Sequence, residues 1–183
     1  MRFNLSDGVA VLERTPRVLR DLLAGLPEGW LSATEGPDTW SPFDVVGHLI
    51  HGERTDWIPR LEIILVDGEG RAFEPFDRFA QFEESRGRTL EELLDTFAVL
   101  RARNLARLAS FELTAADLER RGRHPALGAV TLEQLLATWV AHDLNHLGQI
   151  ARVMGKAYTE AVGPWAEYLP MLQPRVVPAA PLP

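Results

Sequence analysis

The sequence contains no cysteine among its 183 residues. This absence excludes disulfide bonds, thiolate metal ligands and a cysteine nucleophile. Long apolar runs are also missing, because no stretch approaches the roughly 18 apolar residues that a membrane-spanning helix needs. The first eight residues, MRFNLSDG, lack the apolar core of a signal peptide. We therefore expect a cytoplasmic protein that has no membrane partner.

Clustered positive charge is equally scarce. The formal net charge is −7, so the chain would on average repel a nucleic-acid backbone, and we expect no nucleic-acid partner. The most basic stretch, RRGR at residues 120–123, is interpreted as an exposed turn, and the alternative is a contact to an anionic substrate. The composition, 46% apolar and 25% charged, is typical of a globular protein, and the length fits one domain. We assign residues 1–170 to that domain and residues 171–183 to a proline-rich tail.

Four long segments have the apolar spacing of amphipathic helices. They cover approximately residues 6–26, 42–66, 89–110 and 131–154. Pro16 and Pro59 are expected to kink the first and second helices. Ser41, Thr89 and Thr131 are predicted N-caps, the last two as part of capping boxes. Because strand-like alternation is scarce, the sequence predicts an all-α fold, a four-helix bundle with long crossover connections.

Two connections and the tail complete the pattern. The segment 68–88 is long for a loop; we interpret it as a packed crossover, and the alternative is a pocket mouth lined by Arg71, Phe73, Phe76 and Arg78. A short helix is expected to begin at Thr114 within the next connection, residues 111–130. We expect the tail aromatics to pack on the bundle and the last ten residues not to do so. These aromatics are Tyr158, Trp165 and Tyr168.

Two histidines occupy the apolar face of the last predicted helix. His142 and His146, in AHDLNHLGQI, are four residues apart and share that face with Leu135, Trp139 and Ile150. A buried imidazole needs a partner for each ring nitrogen. A divalent metal ion would supply one to both rings, since helical spacing of four directs both toward one ion. The alternative is a pair of core histidines that hydrogen-bond to other side chains.

The sequence alone leaves the remaining metal ligands open. His124 precedes a proline in a predicted loop, which favours a surface role. His48, His51 and Glu53 lie close together on the second helix, but periodicity does not choose among them. The apolar stripe of that helix places Glu53 nearer its centre than His48; its members are Val46, Ile50, Trp57 and Leu61. Asp143 stands where the zinc-peptidase motif HExxH has glutamate, which argues against a peptidase.

The motifs, taken together, resemble those of a known family. WSPFDVVGHLIHGE at residues 40–53 and HDLNHLGQI at residues 142–150 resemble the DinB-like superfamily of small metal-binding helical proteins, in particular its YfiT-like group of metal-dependent hydrolases. The resemblance covers most of the chain and extends to AVGPWAEYL near its end. It implies a four-helix bundle with a divalent ion, usually nickel or zinc, held by three histidines.

Transferred residue by residue, the resemblance implies that His48, His142 and His146 are the metal ligands, with water in the open positions. His51 and Glu53 then have no ligand role, although either is a candidate to support a ligand. The implied function is an enzyme acting on small molecules, either a low-molecular-weight-thiol transferase or a hydrolase. The metal would activate the thiol, which would arrive as a co-substrate, or water.

The resemblance further implies a homodimer. Two alternatives to an enzyme stay open at this point. The first is a non-catalytic, stress-associated protein in which the metal stiffens the bundle. The second is a helical bundle whose histidines bind no metal.

Overall fold

Four helical rods, two of them broken, form the body of the protein. The computed structural model describes residues 2–173, so the prediction for the last ten residues lies outside the described part. The α-helices, in chain order, are α1 (Leu5–Leu12), α2 (Thr15–Leu23), α3 (Glu28–Leu31), α4 (Pro42–Thr55), α5 (Trp57–Val66), α6 (Ala80–Glu84), α7 (Leu90–Ala109), α8 (Ala115–Leu118), α9 (Leu132–Lys156) and α10 (Thr159–Val162). The 3-10 helices are Gly68–Gly70, Gly163–Tyr168 and Pro170–Leu172.

The first rod consists of α1 and α2, and the break between them follows from Pro16. Pro16 lies in the first turn of α2 and has no N–H to donate to the carbonyl of Leu12, four residues earlier. The helix therefore stops at Leu12 and starts again at Thr15. The expected kink is present, and it leaves the Leu12 carbonyl available to another donor.

The second rod, α4 followed by α5, is broken by Pro59, but the break lies upstream of the proline. Proline disturbs the carbonyl four residues before it, which here belongs to Thr55, the last residue of α4. Asp56 takes up the bend with φ −102° and ψ −72°. The two halves of this rod consequently do not share one continuous helical face.

The third and fourth rods, α7 and α9, are unbroken. Thr89 accepts a hydrogen bond from the backbone N–H of Glu92, and Thr131 accepts one from that of Gln134, so both predicted capping boxes are present. Ser41 caps α4 in the same way. These local signals fix the helix starts. The prediction of an all-α four-helix bundle is confirmed, with one small addition.

The addition is an antiparallel hairpin of β1 (Arg121–His124) and β2 (Gly128–Thr131), in which Arg121 pairs with Thr131 and His124 with Gly128. The three arginines of residues 120–123 are exposed as expected, but from Arg121 the stretch belongs to a strand and not to a turn. Gly122 is buried, and a Cβ there would lie 2.7 Å from Ile64 Cγ1. Because Gly122 has no side chain, the hairpin lies directly on α5. The short helix expected from Thr114 is α8, which Thr114 caps.

The long crossover between α5 and α7 attaches to this hairpin. The Phe73 N–H donates to the Arg123 carbonyl over 2.9 Å, and the Phe73 side chain is buried. Further along, Arg54 donates to the Glu84 carboxylate of α6 over 2.5 Å. The segment is thus a packed crossover, as interpreted from the sequence, and it is fixed at both ends.

The aromatics near the end of the described chain do not all pack as expected. Trp165 and Tyr168 are 72% and 76% exposed, so the prediction was wrong for them. Tyr158 is half-exposed, with its ring edge-on to Trp30 at 5.0 Å between centroids. Instead, Met171 lies against Gly155 of α9. Within residues 2–173, no helix combines the length and apolar character that a membrane crossing needs.

Candidate metal centre

Three imidazole rings from two rods converge inside the bundle. His48 comes from α4, and His142 and His146 come from successive turns of α9. The His142 Nε2 atom lies 3.1 Å from His48 Nε2 and 3.1 Å from His146 Nε2. His48 and His146 are 5% and 7% exposed. All three rings therefore present a nitrogen to one small volume, in which their ligand atoms lie within 4.8 Å of one another.

The spacing of these nitrogens fits a single small cation. Three nitrogens at about 2.0–2.1 Å from a tetrahedral zinc ion would lie about 3.3 Å apart. The two measured separations, 3.1 Å each, are close to this value. The cluster supplies three ligands, and a fourth position on such an ion would be left to water or substrate.

Hydrogen bonds among the three rings do not explain their approach. The side-chain oxygen Oε1 of Gln149 accepts a hydrogen bond from His146 Nδ1 at 2.9 Å. The Nε2 atom of a neutral His146 therefore carries a lone pair. His142 Nε2 carries either one proton or one lone pair, so it cannot be a donor to His146 and an acceptor from His48 at once. A cation among the three lone pairs satisfies all of them.

The rings are kept neutral, as metal ligands must be. Burial, followed by the charges of His146, His51 and Arg78, lowers the pKa of His48 to about 3. Burial, together with the charges of neighbouring histidines and Arg101, lowers the pKa of His142 to about 2. Burial also lowers the pKa of His146, against the effects of Gln149 and Asp143. Protons therefore do not compete with a metal ion for these nitrogens near neutral pH.

Aromatic rings surround the cluster. The centroids of Trp40 and Phe76 lie 4.7 Å and 5.3 Å from that of His48, and Trp57 is edge-on to His142 at 5.2 Å. Trp40 immediately precedes the cap of α4, and Phe76 belongs to the long crossover. These rings restrict the movement of the imidazoles and limit the access of water to them.

A buried ion network next to the cluster fixes the rods that carry it. Arg101 of α7, 1% exposed, donates to Glu53 of α4 at 2.8 and 3.0 Å and to Asp143 of α9 at 2.6 and 3.0 Å. Its fifth bond goes to the free Leu12 carbonyl of the first rod, at 2.8 Å. One guanidinium thus joins all four rods. Because Asp143 follows His142 directly, the network also fixes the rotation of α9.

Glu53 and His51 are both buried but have other partners. Glu53 accepts from Asn104 Nδ2 at 2.9 Å and Trp139 Nε1 at 3.0 Å, in addition to Arg101. His51 Nδ1 lies 2.9 Å from Glu84 Oε1. Among the described residues, neither hydrogen-bonds to the three clustered rings. Both carboxylate oxygens of Asp143 likewise accept from Arg101, so neither is free to act as the base that the glutamate of a zinc peptidase provides.

A cavity of about 430 Å³ opens beside the three histidines. Its wall includes part of α5, part of α9 and the hairpin, and three of the four crossover residues suggested as a pocket mouth: Phe73, Phe76 and Arg78. The fourth, Arg71, instead lies 3.8 Å from Asp67. His124 is half-buried at the end of β1 and lines the cavity. It is not part of the histidine cluster, and its remaining exposure is at the cavity rather than at the outer surface.

Sequence reasoning missed Arg101 and Asn104, although a signal was present. Both fall on the helical face of α7 that carries Phe97 and Leu108, at spacings of four, three and four residues. A charged residue in the middle of an apolar stripe indicates a buried ion pair. The role of the hairpin as cavity wall had no comparable signal, because it depends on the pairing of two short strands and on their contact with α5.

Comparisons with known proteins agree with this arrangement. The sequence model described as the DinB superfamily matches residues 11–150. A solved structure of YfiT from Bacillus subtilis, described as a probable metal-dependent hydrolase with an unusual four-helix bundle topology, has 25% identity and a TM-score of 0.72. The match covers 84% of this chain and 87% of that one. A search of the curated proteins finds no match. Given the family match over most of its length, the chain is a member of the DinB superfamily.

Proposed function

We propose that His48, His142 and His146 bind one divalent metal ion, zinc or nickel, and that the protein is a metal-dependent hydrolase of small molecules. The observation that supports this most strongly is the convergence of three uncharged rings, in which the Nε2 atoms of His48 and His146 each lie 3.1 Å from that of His142. The description of YfiT as a probable metal-dependent hydrolase supports the class of reaction.

The donor set favours a reactive centre over a purely structural one. Structural zinc sites usually have four protein ligands, whereas three ligands leave a position open. A divalent ion held here would lower the pKa of water enough to supply a nucleophile near neutral pH. The chain itself keeps the three imidazoles unprotonated, orients them through Gln149 and the aromatic contacts, and provides the adjacent cavity for a substrate.

Metal analysis tests the ligand set. Protein purified without a histidine tag is expected to contain about one zinc or nickel ion per chain, measured by inductively coupled plasma mass spectrometry. Most of this metal is expected to be lost in each of the variants His48→Ala, His142→Ala and His146→Ala, because each substitution leaves only two of the three protein ligands. His124→Ala is the matched control, since His124 lines the same cavity but is not part of the cluster. Equal metal content in all four variants would overturn the assignment.

Activity assays then test the reaction class. The zinc-loaded and nickel-loaded proteins are incubated with aryl esters and amides, and in parallel with thiols plus electrophiles. Hydrolysis that disappears with the metal and in His142→Ala supports a hydrolase. Metal-dependent thiol conjugation without hydrolysis would contradict it in favour of a thiol transferase, and metal binding without either reaction would favour a non-catalytic role.

A further inference from the structure

The cavity beside the histidines is long enough for an organic ligand. Along α9 its wall extends from Gln134 to His146, which is about 18 Å at 1.5 Å per residue. Its volume of about 430 Å³ lies in the range of small-molecule sites. A water molecule alone would need only a small part of this space.

The charges on the wall do not cancel. Asp56 is the acidic residue among the lining residues, all of which lie in the described part, and its Oδ1 lies 2.6 Å from Arg60 Nε. That pair is neutral as a unit. Arg78 also lines the cavity, and no carboxylate of the described residues lies within 4 Å of its guanidinium. The neighbouring Asp77 accepts from the Phe79 N–H at 2.9 Å. A chain of net charge −7 thus keeps a positive charge at this cavity.

The cavity wall also contains a neutral hydrogen-bond donor, the ring of His124, in addition to the positive charge of Arg78. His124 Nδ1 accepts the backbone N–H groups of Ala126 and Leu127, both at 3.1 Å, so the proton of the neutral ring is on Nε2. Nε2 has no hydrogen-bond partner among residues 2–173. It therefore remains available to an acceptor, and His124 lines the cavity.

The rest of the wall is mainly apolar, with Trp40, Trp57, Phe73, Phe76, Leu127 and Leu135 among its residues. Such a wall accommodates the hydrocarbon or aromatic part of a ligand, while a few polar groups fix its orientation. Arginine is suited to the recognition of carboxylate and phosphate oxygens.

From these observations we infer that the cavity binds small organic anions, in which an apolar or aromatic body carries a carboxylate or phosphate group that Arg78 recognises. This inference rests on the proposed function, since it names the substrate class of the same cavity. A carboxylate and a phosphate share the anionic oxygens that a guanidinium binds, so the experiment includes both.

Binding is measured by calorimetry on metal-free protein, so that an anion cannot bind through the metal. The probes are phenylacetate, phenyl phosphate and neutral phenylacetamide. At least one anion is expected to bind about tenfold more tightly than the amide, which corresponds to one charge-assisted hydrogen bond. Arg78→Gln is expected to remove this preference, and His124→Phe to reduce it. Arg86→Gln, on the same crossover but paired with Glu83 at the surface, is the control and is expected to retain it.

Tighter binding of phenylacetate or of phenyl phosphate than of phenylacetamide supports the inference and identifies the acidic group. Equal affinity for amide and anions, no measurable binding of either anion, or an unchanged preference in Arg78→Gln would overturn it. Because no metal and no turnover are involved, failure here is distinguishable from failure of the proposed hydrolase function.

Discussion

Replacing Arg101 by methionine is expected to destabilise the protein more than any surface substitution. Methionine keeps much of the side-chain volume but removes all five hydrogen bonds of the guanidinium. The carboxylates of Glu53 and Asp143, 2% and 0% exposed, would then be left without a cation. Breaking a buried ion pair on one side costs about 3–5 kcal/mol, a large part of the roughly 5–15 kcal/mol that stabilises a typical domain.

Protonation will offset part of this loss. Burial already raises the pKa of Glu53, although Arg101 opposes the shift. Without the guanidinium the carboxyl is expected to take up a proton in the folded state. A group whose pKa is raised on folding is stabilising at low pH and loses that contribution as the pH rises through its folded value. The destabilisation of Arg101→Met should therefore grow as the pH rises above 4.5, the ordinary pKa of a glutamate carboxyl.

The free energy of unfolding is measured by urea titration of metal-free protein, with circular dichroism as the signal. Arg107→Met is the matched control, because Arg107 also lies on α7 and also has a carboxylate, that of Glu62, at 2.8 Å, but this pair is about half-exposed. Exposed pairs contribute about 0–1 kcal/mol. A triple variant that adds Glu53→Gln and Asp143→Asn should recover part of the loss. Arg101→Met within 1 kcal/mol of the control would refute the reasoning.

Three further predictions concern stability. Gly122→Ala should destabilise by about 1–3 kcal/mol, since a Cβ there would meet Phe73 at 2.8 Å, whereas Gly148→Ala, in open space on α9, should stabilise by up to about 1 kcal/mol; opposite shifts in Tm are the check. Hydrogen bonding by Arg152, with Lys156 also contributing, lowers the pKa of Glu35 to about 2 against desolvation. This shift corresponds to about 3 kcal/mol, and solvent screening reduces the expected contribution to roughly 2 kcal/mol. The contribution should be present above pH 4.5 and disappear toward pH 2, so the stabilities of wild type and Glu35→Gln should differ at pH 7 and converge in acid. A difference that is independent of pH would contradict this. Zinc at a hundred times its Kd should stabilise the folded protein by about 2.7 kcal/mol, measured as a rise in Tm that fails to occur if the three-histidine cluster does not bind metal.

The helix starts were predictable because their signals are local. Thr89 and Thr131 bond to residues only three positions away, and the spacing of His142 and His146 within one helix is fixed by helical geometry. The position of His48 was not predictable from periodicity. The helix α4 is buried on all sides, since every residue from Val45 to Glu53 is buried, so no single apolar face distinguishes His48 from His51 and Glu53. His48 was therefore assigned as a ligand only through the resemblance to the DinB-like superfamily.

The kink expected from Pro59 is present, at Asp56. Its exact position follows from the effect of the proline on the carbonyl of Thr55, one turn earlier. The hairpin escaped detection for a different reason: strands of four residues are stabilised by pairing and by contact of Gly122 with Ile64 and Phe73, none of which is visible in the order of residues. The cavity, which depends on this hairpin, was therefore also not predictable.

The guanidinium that joins the four rods has a consequence for how the bundle comes apart. If the N-terminal rod detached alone, one buried N–H of Arg101 would lose its acceptor, the Leu12 carbonyl. Separation of α4 or α9 would break the buried ion pair of Arg101 with Glu53 or with Asp143. Partly opened states are thus disfavoured relative to both the intact and the fully unfolded chain. Amide hydrogens in all four rods should accordingly exchange through one common opening, rather than helix by helix.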